Sequence, residues 1–156
     1  MNVNEKKTET ILIDTIMTPL PLVVANSSDS IFKISNLIKE REVGSIIIMD
    51  HNNNPIGIIT ERDIVRRVVS EGKDPKTTKT TEIMSKPLIT VEKDSYLYDM
   101  AKEMTKNKIR RLPIVKDNKL VGIVTVTDII KHFHEKNKDN NYLSKAMMRY
   151  GKYWEE

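Results

Sequence analysis

The chain says nearly the same thing twice. Ile16-Met17-Thr18 opens a stretch that closes on Gly57-Ile58-Ile59-Thr60-Glu61-Arg62-Asp63, and Ile83-Met84-Ser85 opens a second that closes on Gly122-Ile123-Val124-Thr125-Val126-Thr127-Asp128. Met17 and Met84 stand 67 positions apart and Asp63 and Asp128 stand 65, so two gap positions lay one copy on the other. Repeats of this kind mean two similar structural units. A unit of this size buries too little surface to be comfortable alone. The copies are therefore expected to pack face to face, and the space between them is the place to look for a site.

A length of 156 residues fits one compact domain or two small halves sharing a core. Hydrophobic residues at 38% and charged residues at 31% describe an ordinary globular protein on the charge-rich side. The net charge of +4 favours anionic ligands locally but is too weak to mark a nucleic-acid protein by itself. With no cysteine, disulfides, cysteine-zinc sites and thiol chemistry are excluded. The polar start shows no apolar signal-peptide core and no later segment approaches a membrane span, so a cytoplasmic protein without membrane contact is expected.

Residues 1–9 read as a flexible start and 10–72 as the first repeat. A short helix over about 10–17 is stopped by Pro19 and Pro21, and Leu22-Val23-Val24 reads as a strand. Asp29 or Ser30 can cap a helix whose apolar positions Ile31, Ile34, Leu37 and Ile38 recur at helical spacing. Strands at 45–49 and 56–59 flank a polar turn, and a helix runs from Thr60 to about Ser70. Residues 73–82 read as a Thr/Lys-rich linker. The second repeat, 83–134, has strands at 88–91, 111–115 and 120–124, a helix carrying Leu97, Met100, Ala101 and Met104, and a last helix starting at Thr125. Residues 135–156 form a tail, helical from about 142.

The chemistry sits in the pattern Gly-apolar-apolar-Thr-x-x-Asp, where an apolar strand turns into a helix. Free backbone N–H groups at a helix N-terminus suit phosphate, and a carboxylate that accepts two hydrogen bonds suits the vicinal hydroxyls of a ribose. Gly57 and Gly122 remove side-chain bulk just before the turn, so a flat ring can approach the backbone. The same Thr-x-x-Asp spacing also matches a capping box, in which the two side chains satisfy orphan backbone donors reciprocally. Spacing leaves both readings open, and recurrence does not decide, because a repeat preserves a cap as well as a ligand site.

From about Ile16 to Phe133 the chain closely resembles a tandem pair of CBS domains (the cystathionine β-synthase type), also called a Bateman module. The resemblance rests on the two opening motifs, the apolar strands ending in Met49-Asp50 and Val115-Lys116-Asp117, and the two Gly-apolar-apolar-Thr-x-x-Asp runs. It implies a mixed α/β (α+β) fold: two pseudo-symmetric β-α-β-β-α units packed through their sheets into one disc-like module. It implies two clefts for adenosine-containing ligands, AMP, ADP, ATP or S-adenosylmethionine, held as regulatory ligands with no catalytic cofactor. It also implies pairing into homodimers.

In that family each cleft takes its ribose-binding Asp and hydroxyl from one repeat and its base and phosphate contacts from the other. Carried over, the first cleft comprises Ile58, Thr60, Arg62 and Asp63 facing Pro87, Leu88, Ile89, Arg110, Arg111 and Leu112. Asp63 would take the ribose hydroxyls, Ile58 and Ile89 would sandwich adenine, and Arg110 or Arg111 would reach phosphate. The second cleft comprises Ile123, Thr125 and Asp128 facing Thr18, Leu22, Val23, Val43, Gly44 and Ser45. The copies differ, because Arg110-Arg111 corresponds to Gly44-Ser45 and Arg62 to Thr127. Guanidinium forks on phosphate are worth about 1.5–3 kcal/mol each. The Asp63 cleft is therefore expected to hold charged nucleotides more tightly. The alternative for these arginines is a solvated corner between helix and strand.

His132 and His134 lie two apart on a helix and cannot chelate together, so no metal site is expected. No phosphate-binding loop and no matched nucleophile, base and acid suggest an enzyme. In the tail, Tyr142, Leu143, Ala146, Met147, Tyr150 and Trp154 recur at helical spacing beside Lys145, Arg149 and Lys152. That pattern fits a helix packed on its own module or a dimer mate, a docking element for a partner protein, or a contact with nucleic acid. A sensor module whose adenosyl ligand shifts a conformational equilibrium is the reading favoured. The rival is a nucleic-acid-binding or architectural protein that uses the basic aromatic tail.

Overall fold

The structure, a computed structural model, describes residues 11–136. In chain order its strands are β1 (Thr18–Pro19), β2 (Val24–Asn26), β3 (Ser45–Met49), β4 (Pro55–Thr60), β5 (Val91–Glu92), β6 (Arg111–Lys116) and β7 (Lys119–Thr125). Its helices are α1 (Ile31–Arg41), α2 (Glu61–Ile64), α3 (Thr80–Ile83), α4 (Leu97–Asn107) and α5 (Val126–Lys136). A three-stranded sheet has the order β2-β3-β4 and a four-stranded sheet the order β1-β7-β6-β5. Two compact units follow. One holds residues 21–90 and 117–120, the other the rest of the described chain: 11–20, 91–116 and 121–136.

In the 21–90 unit, β2 runs parallel to β3, with Val24 opposite Ile47. Strand β4 returns antiparallel, with Ser45 opposite Thr60 and Ile47 opposite Ile58. Helix α1 buries Ile31, Ile34 and Ile38, the stripe that its period predicts. Its N-cap is Ser30, whose Oγ accepts from Lys33 N at 3.3 Å. Two more first-turn donors are satisfied by the segment read as a linker: Ile31 N donates to Thr78 O at 3.0 Å and Phe32 N to Pro75 O at 2.8 Å. Thr80 is fully buried and its Oγ1 donates to Ser27 O at 2.7 Å. Residues 73–82 are therefore anchored on α1, and a free connection gives way to a helix cap with a buried hydroxyl.

The core of this unit joins Ala25, Ile31, Ile34, Ile38, Ile46, Ile48, Ile59 and Val68 to Ile83 and Met84. The last two open the second sequence repeat. Ser85 continues the same attachment, because Ile58 N donates to Ser85 O at 3.2 Å and Ser85 N to Ile58 O at 2.9 Å. The other unit mirrors this. Strand β1, which closes the first repeat's opening motif, pairs antiparallel with β7, Thr18 opposite Ile123 and Pro19 opposite Gly122. Ile13 N donates to Ser95 O at 3.0 Å and Leu97 N to Ile11 O at 2.8 Å. Ile13 and Ile16 are buried, as are Leu97, Met100 and Met104 of α4. Each compact unit thus takes its opening segment from the other sequence repeat.

Several expected elements shift. The helix over 10–17 reduces to one 3₁₀ turn, Ile13–Thr15, because the chain goes straight on into β1. The strands at 22–24 and 88–91 move to Val24–Asn26 and Val91–Glu92, where parallel partners on β3 and β6 exist. The helix from Thr60 loosens after Ile64 into a π-turn, Val65–Val69. Of the 135–156 tail, Glu135 and Lys136 still belong to α5. The helix from about 142 lies outside the described residues.

Candidate functional site

The strand-to-helix turns show the capping reading of Thr-x-x-Asp in both copies. At the end of β4, Thr60 Oγ1 accepts from Asp63 N at 3.2 Å, and Asp63 Oδ2 accepts from Thr60 N at 2.9 Å and from Thr60 Oγ1 at 2.7 Å. At the end of β7 the same set recurs. Asp128 Oδ2 accepts from Thr125 N at 2.7 Å and Thr125 Oγ1 at 2.7 Å, and Thr125 Oγ1 accepts from Asp128 N at 3.2 Å. Both turns are capping boxes. The following N–H is also taken: Glu61 N donates to Gly44 O at 3.4 Å and Val126 N to Arg110 O at 2.9 Å. This corrects one expectation. Three donors of each turn (at Thr60, Glu61 and Asp63, and at Thr125, Val126 and Asp128) are spent internally, so the N-termini are not open anion cradles.

The cap engages one carboxylate oxygen in each copy, Oδ2, and leaves Oδ1 outside it. In the 21–90 unit Oδ1 of Asp63 lies 3.5 Å from Arg67 Nη2, with 15% of the Asp63 side chain and 43% of the Arg67 side chain exposed. Arg67 Nη1 also donates to Ile83 O at 2.6 Å. Sequence reading passed over Arg67. Its position four residues after Asp63 was a signal for the ion pair, but the bond to Ile83, 16 residues on, had none.

Gly57 and Gly122 correct a second expectation. A Cβ at Gly57 would lie 2.6 Å from Met84 Sδ, and one at Gly122 would lie 2.8 Å from Thr18 O and 2.9 Å from Met17 Sδ. The space that these glycines leave is filled by the methionine of the opening motif, so it does not admit a flat ring. Their missing side chains serve the crossing of opening segments.

The 21–90 unit holds Ile58, Thr60, Arg62, Asp63, Pro87, Leu88 and Ile89 of the expected first cleft, the last three separated by one residue from Ser85, which pairs with Ile58. The Lys86–Pro87 peptide bond is cis. Arg62 is exposed, and Ile58, Leu88 and Ile89 are half-buried. Arg110, Arg111 and Leu112 belong to the other unit, where Leu112 is fully buried. That unit brings together Thr18, Ile123, Thr125 and Asp128 of the expected second cleft, while Leu22, Val23, Val43, Gly44 and Ser45 belong to the 21–90 unit. Ser45 there pairs with Thr60 in the sheet. Among the described residues no group of three or more His, Asp or Glu is arranged to hold a metal ion, and no helix is long and apolar enough to cross a membrane.

Comparison with known proteins agrees with this architecture. The sequence profile of the CBS domain matches residues 13–70 and again 81–135. A protein of Methanopyrus kandleri is 44% identical over 111 residues, which is 70% of this chain and 57% of that protein. The chain spans from 31% to 61% of the length of three curated relatives that it matches. Among solved structures, a conserved protein from Pyrococcus horikoshii superposes with a TM-score of 0.74 at 29% identity, covering 80% of this chain and 92% of that one. A hexameric CBS-CP12 protein from bloom-forming cyanobacteria superposes with a TM-score of 0.71 at 34% identity, covering 78% and 70%. With both repeats matched and the fold shared, the chain belongs to the CBS-domain family, as a tandem pair.

Proposed function

We propose that this chain is a non-catalytic sensor that binds adenosine-containing ligands (AMP, ADP, ATP or S-adenosylmethionine) through its two Thr-x-x-Asp turns. Pairs of CBS domains are generally regulatory modules that bind small ligands. The observation that carries the finer reading is the division of labour in each carboxylate. The cap holds Asp63 and Asp128 by Oδ2 alone, which fixes each side chain in place and keeps Oδ1 outside the cap. A half-buried, oriented carboxylate edge is what a vicinal diol requires. Cap and ligand site are thus compatible roles of one residue.

With the N–H groups of Thr60, Glu61 and Asp63 engaged in the turn, phosphate recognition on this reading draws on side-chain cations, Arg62 foremost, whose counterpart in the second repeat is Thr127. On this reading the Asp63 site takes the more charged ligand. Ligand binding favours one conformation of the pair by its difference in affinity between states, and a second copy of the chain is the natural listener. The hexameric assembly of the CBS-CP12 neighbour supports self-association.

The test is a thermal-shift series with AMP, ADP, ATP and S-adenosylmethionine on the wild-type chain and on Asp63→Ala and Asp128→Ala. A shift of several degrees with at least one ligand is expected by mass action on the folded state. The AMP response should fall more in Asp63→Ala than in Asp128→Ala. No shift with any of the four ligands would sink the proposal, and equal losses in the two variants would remove the asymmetry.

A further inference from the structure

We infer that Arg67 is a positioning residue that ties the Asp63 carboxylate to the Ile83-Met84-Ser85 segment, so that a ligand on Asp63 is felt by the backbone that crosses over from the second repeat. The tie stands on geometry alone. Its ligand-dependent half rests on the proposed sugar-binding role of Asp63.

The guanidinium is shared between two acceptors, Ile83 O at 2.6 Å through Nη1 and Asp63 Oδ1 at 3.5 Å through Nη2. Ile83 ends the one-turn helix α3, whose last carbonyls have no partner further along the helix. A cation is favoured at that end. The next two residues grip β4 from the other side: Met84 fills the space over Gly57, and Ser85 exchanges two backbone bonds with Ile58. Ile58 leads through Ile59 to Thr60, which caps Asp63, so the contacts close into a ring of Asp63, Arg67, Ile83, Met84-Ser85, Gly57-Ile58 and Thr60. A half-exposed ion pair at 3.5 Å adds little stability by itself, which argues against a purely stabilising purpose for the fork. The long contact to Asp63 is also the one a competing diol would disturb first. In the second repeat the position 65 residues on is His132, which has no guanidinium fork to span two acceptors.

The experiment is amide hydrogen exchange on the full chain, wild type against Arg67→Met and Arg67→Lys, with and without AMP. Without nucleotide, the Ile58 and Ser85 amides of Arg67→Met should exchange about tenfold faster than in wild type, as expected when a local opening is eased. Ile46 and Ile48, in the core of the same unit, should keep their wild-type rates. Arg67→Lys should fall between. With AMP, Ile58 and Ser85 should slow in wild type and not in Arg67→Met. Wild-type rates at Ile58 and Ser85 in Arg67→Met would overturn the inference, as would equal acceleration at Ile46 and Ile48, which marks a merely structural residue. Equal slowing by AMP in both proteins would overturn it too. Should none of AMP, ADP, ATP and S-adenosylmethionine bind wild type, the sugar-binding reading of Asp63 falls, and the nucleotide-free comparison alone upholds or overturns the tie.

Discussion

Gly57 and Gly122 occupy equivalent positions but meet different obstacles, and their alanine variants should differ accordingly. At Gly57 an added methyl meets the thioether of Met84, an adaptable side chain. At Gly122 it meets the backbone carbonyl of Thr18, held in the β1–β7 pairing. Gly122→Ala should cost about 1–3 kcal/mol as an overpacking change and Gly57→Ala less. The Gly57→Ala cost should shrink further in a Met84→Ala background, because the two changes act on one space. Urea denaturation of the singles and the double measures this, and an undiminished cost in the double would contradict the plug. These glycines were legible in the sequence as places of close approach, but not what approaches, since each partner lies in the other repeat. The Thr and Asp of each turn were legible as a cap or a ligand site, and the structure shows the cap, held through Oδ2 of each carboxylate.

Helix α1 shows what periodicity reveals and what it hides. Its buried stripe and its cap at Ser30 follow from residue spacing. In α4 Leu97, Met100 and Met104 are buried as their spacing predicts, while Ala101 is exposed and the N-cap residue Tyr96 makes no side-chain cap bond. Neither helix's C-terminus follows from spacing. Both end on a residue in the left-handed conformation that is not glycine, Glu42 with φ 52° and Lys108 with φ 54°, so the usual stop signal is missing. The linker's grip on α1 was equally hidden, because it uses backbone carbonyls of Pro75 and Thr78 that any residue supplies. Beside that grip, Asp29 is partly buried, which raises its pKa. The hydrogen bond from Lys33, the Asn26 N–H and the charges of Lys33 and Lys79 outweigh this and hold the carboxyl below the usual aspartate range. A lowered folded pKa contributes stability above the unfolded value and loses it as pH falls through the folded one. Asp29→Asn should therefore be less stable than wild type at pH 7, with the gap closing below about pH 4. Chemical denaturation at both pH values checks this, and a gap independent of pH would exclude the ionised carboxylate as its source.

At the scale of the whole molecule, sequence repeat and compact unit are not the same object. The duplication was plain in the sequence, and so was the order of elements within each copy. The exchange of opening segments was not, because an apolar Ile-Met pair reads the same whichever sheet it covers. It makes a specific expectation for Ile83, which belongs to the second copy by sequence and to the core of the 21–90 unit by packing, 1% exposed. Ile83→Ala should cost about 2–5 kcal/mol as a large-to-small change in a core. Its local effect should appear as faster amide exchange in β3, at Ile46 and Ile48, more than in β6, at Leu112 and Ile114. The reverse ranking would mean that Ile83 supports its own copy after all.

The crossing of β1 onto β7 also fixes a timetable. On the ribosome, the 21–90 unit has nearly every piece it needs soon after residue 90 emerges. Residues 11–20 meet their partner strand only when residue 125 is out. A segment carrying Ile11, Ile13 and Ile16 must wait through some hundred residues of synthesis with its greasy face unclaimed, and contacts across so long a stretch of chain are slow to close. A segment made well ahead of its partner strand is thus among the last of the described residues to find its place, and that interval is when a chaperone or a neighbouring nascent chain has its best opportunity to seize it.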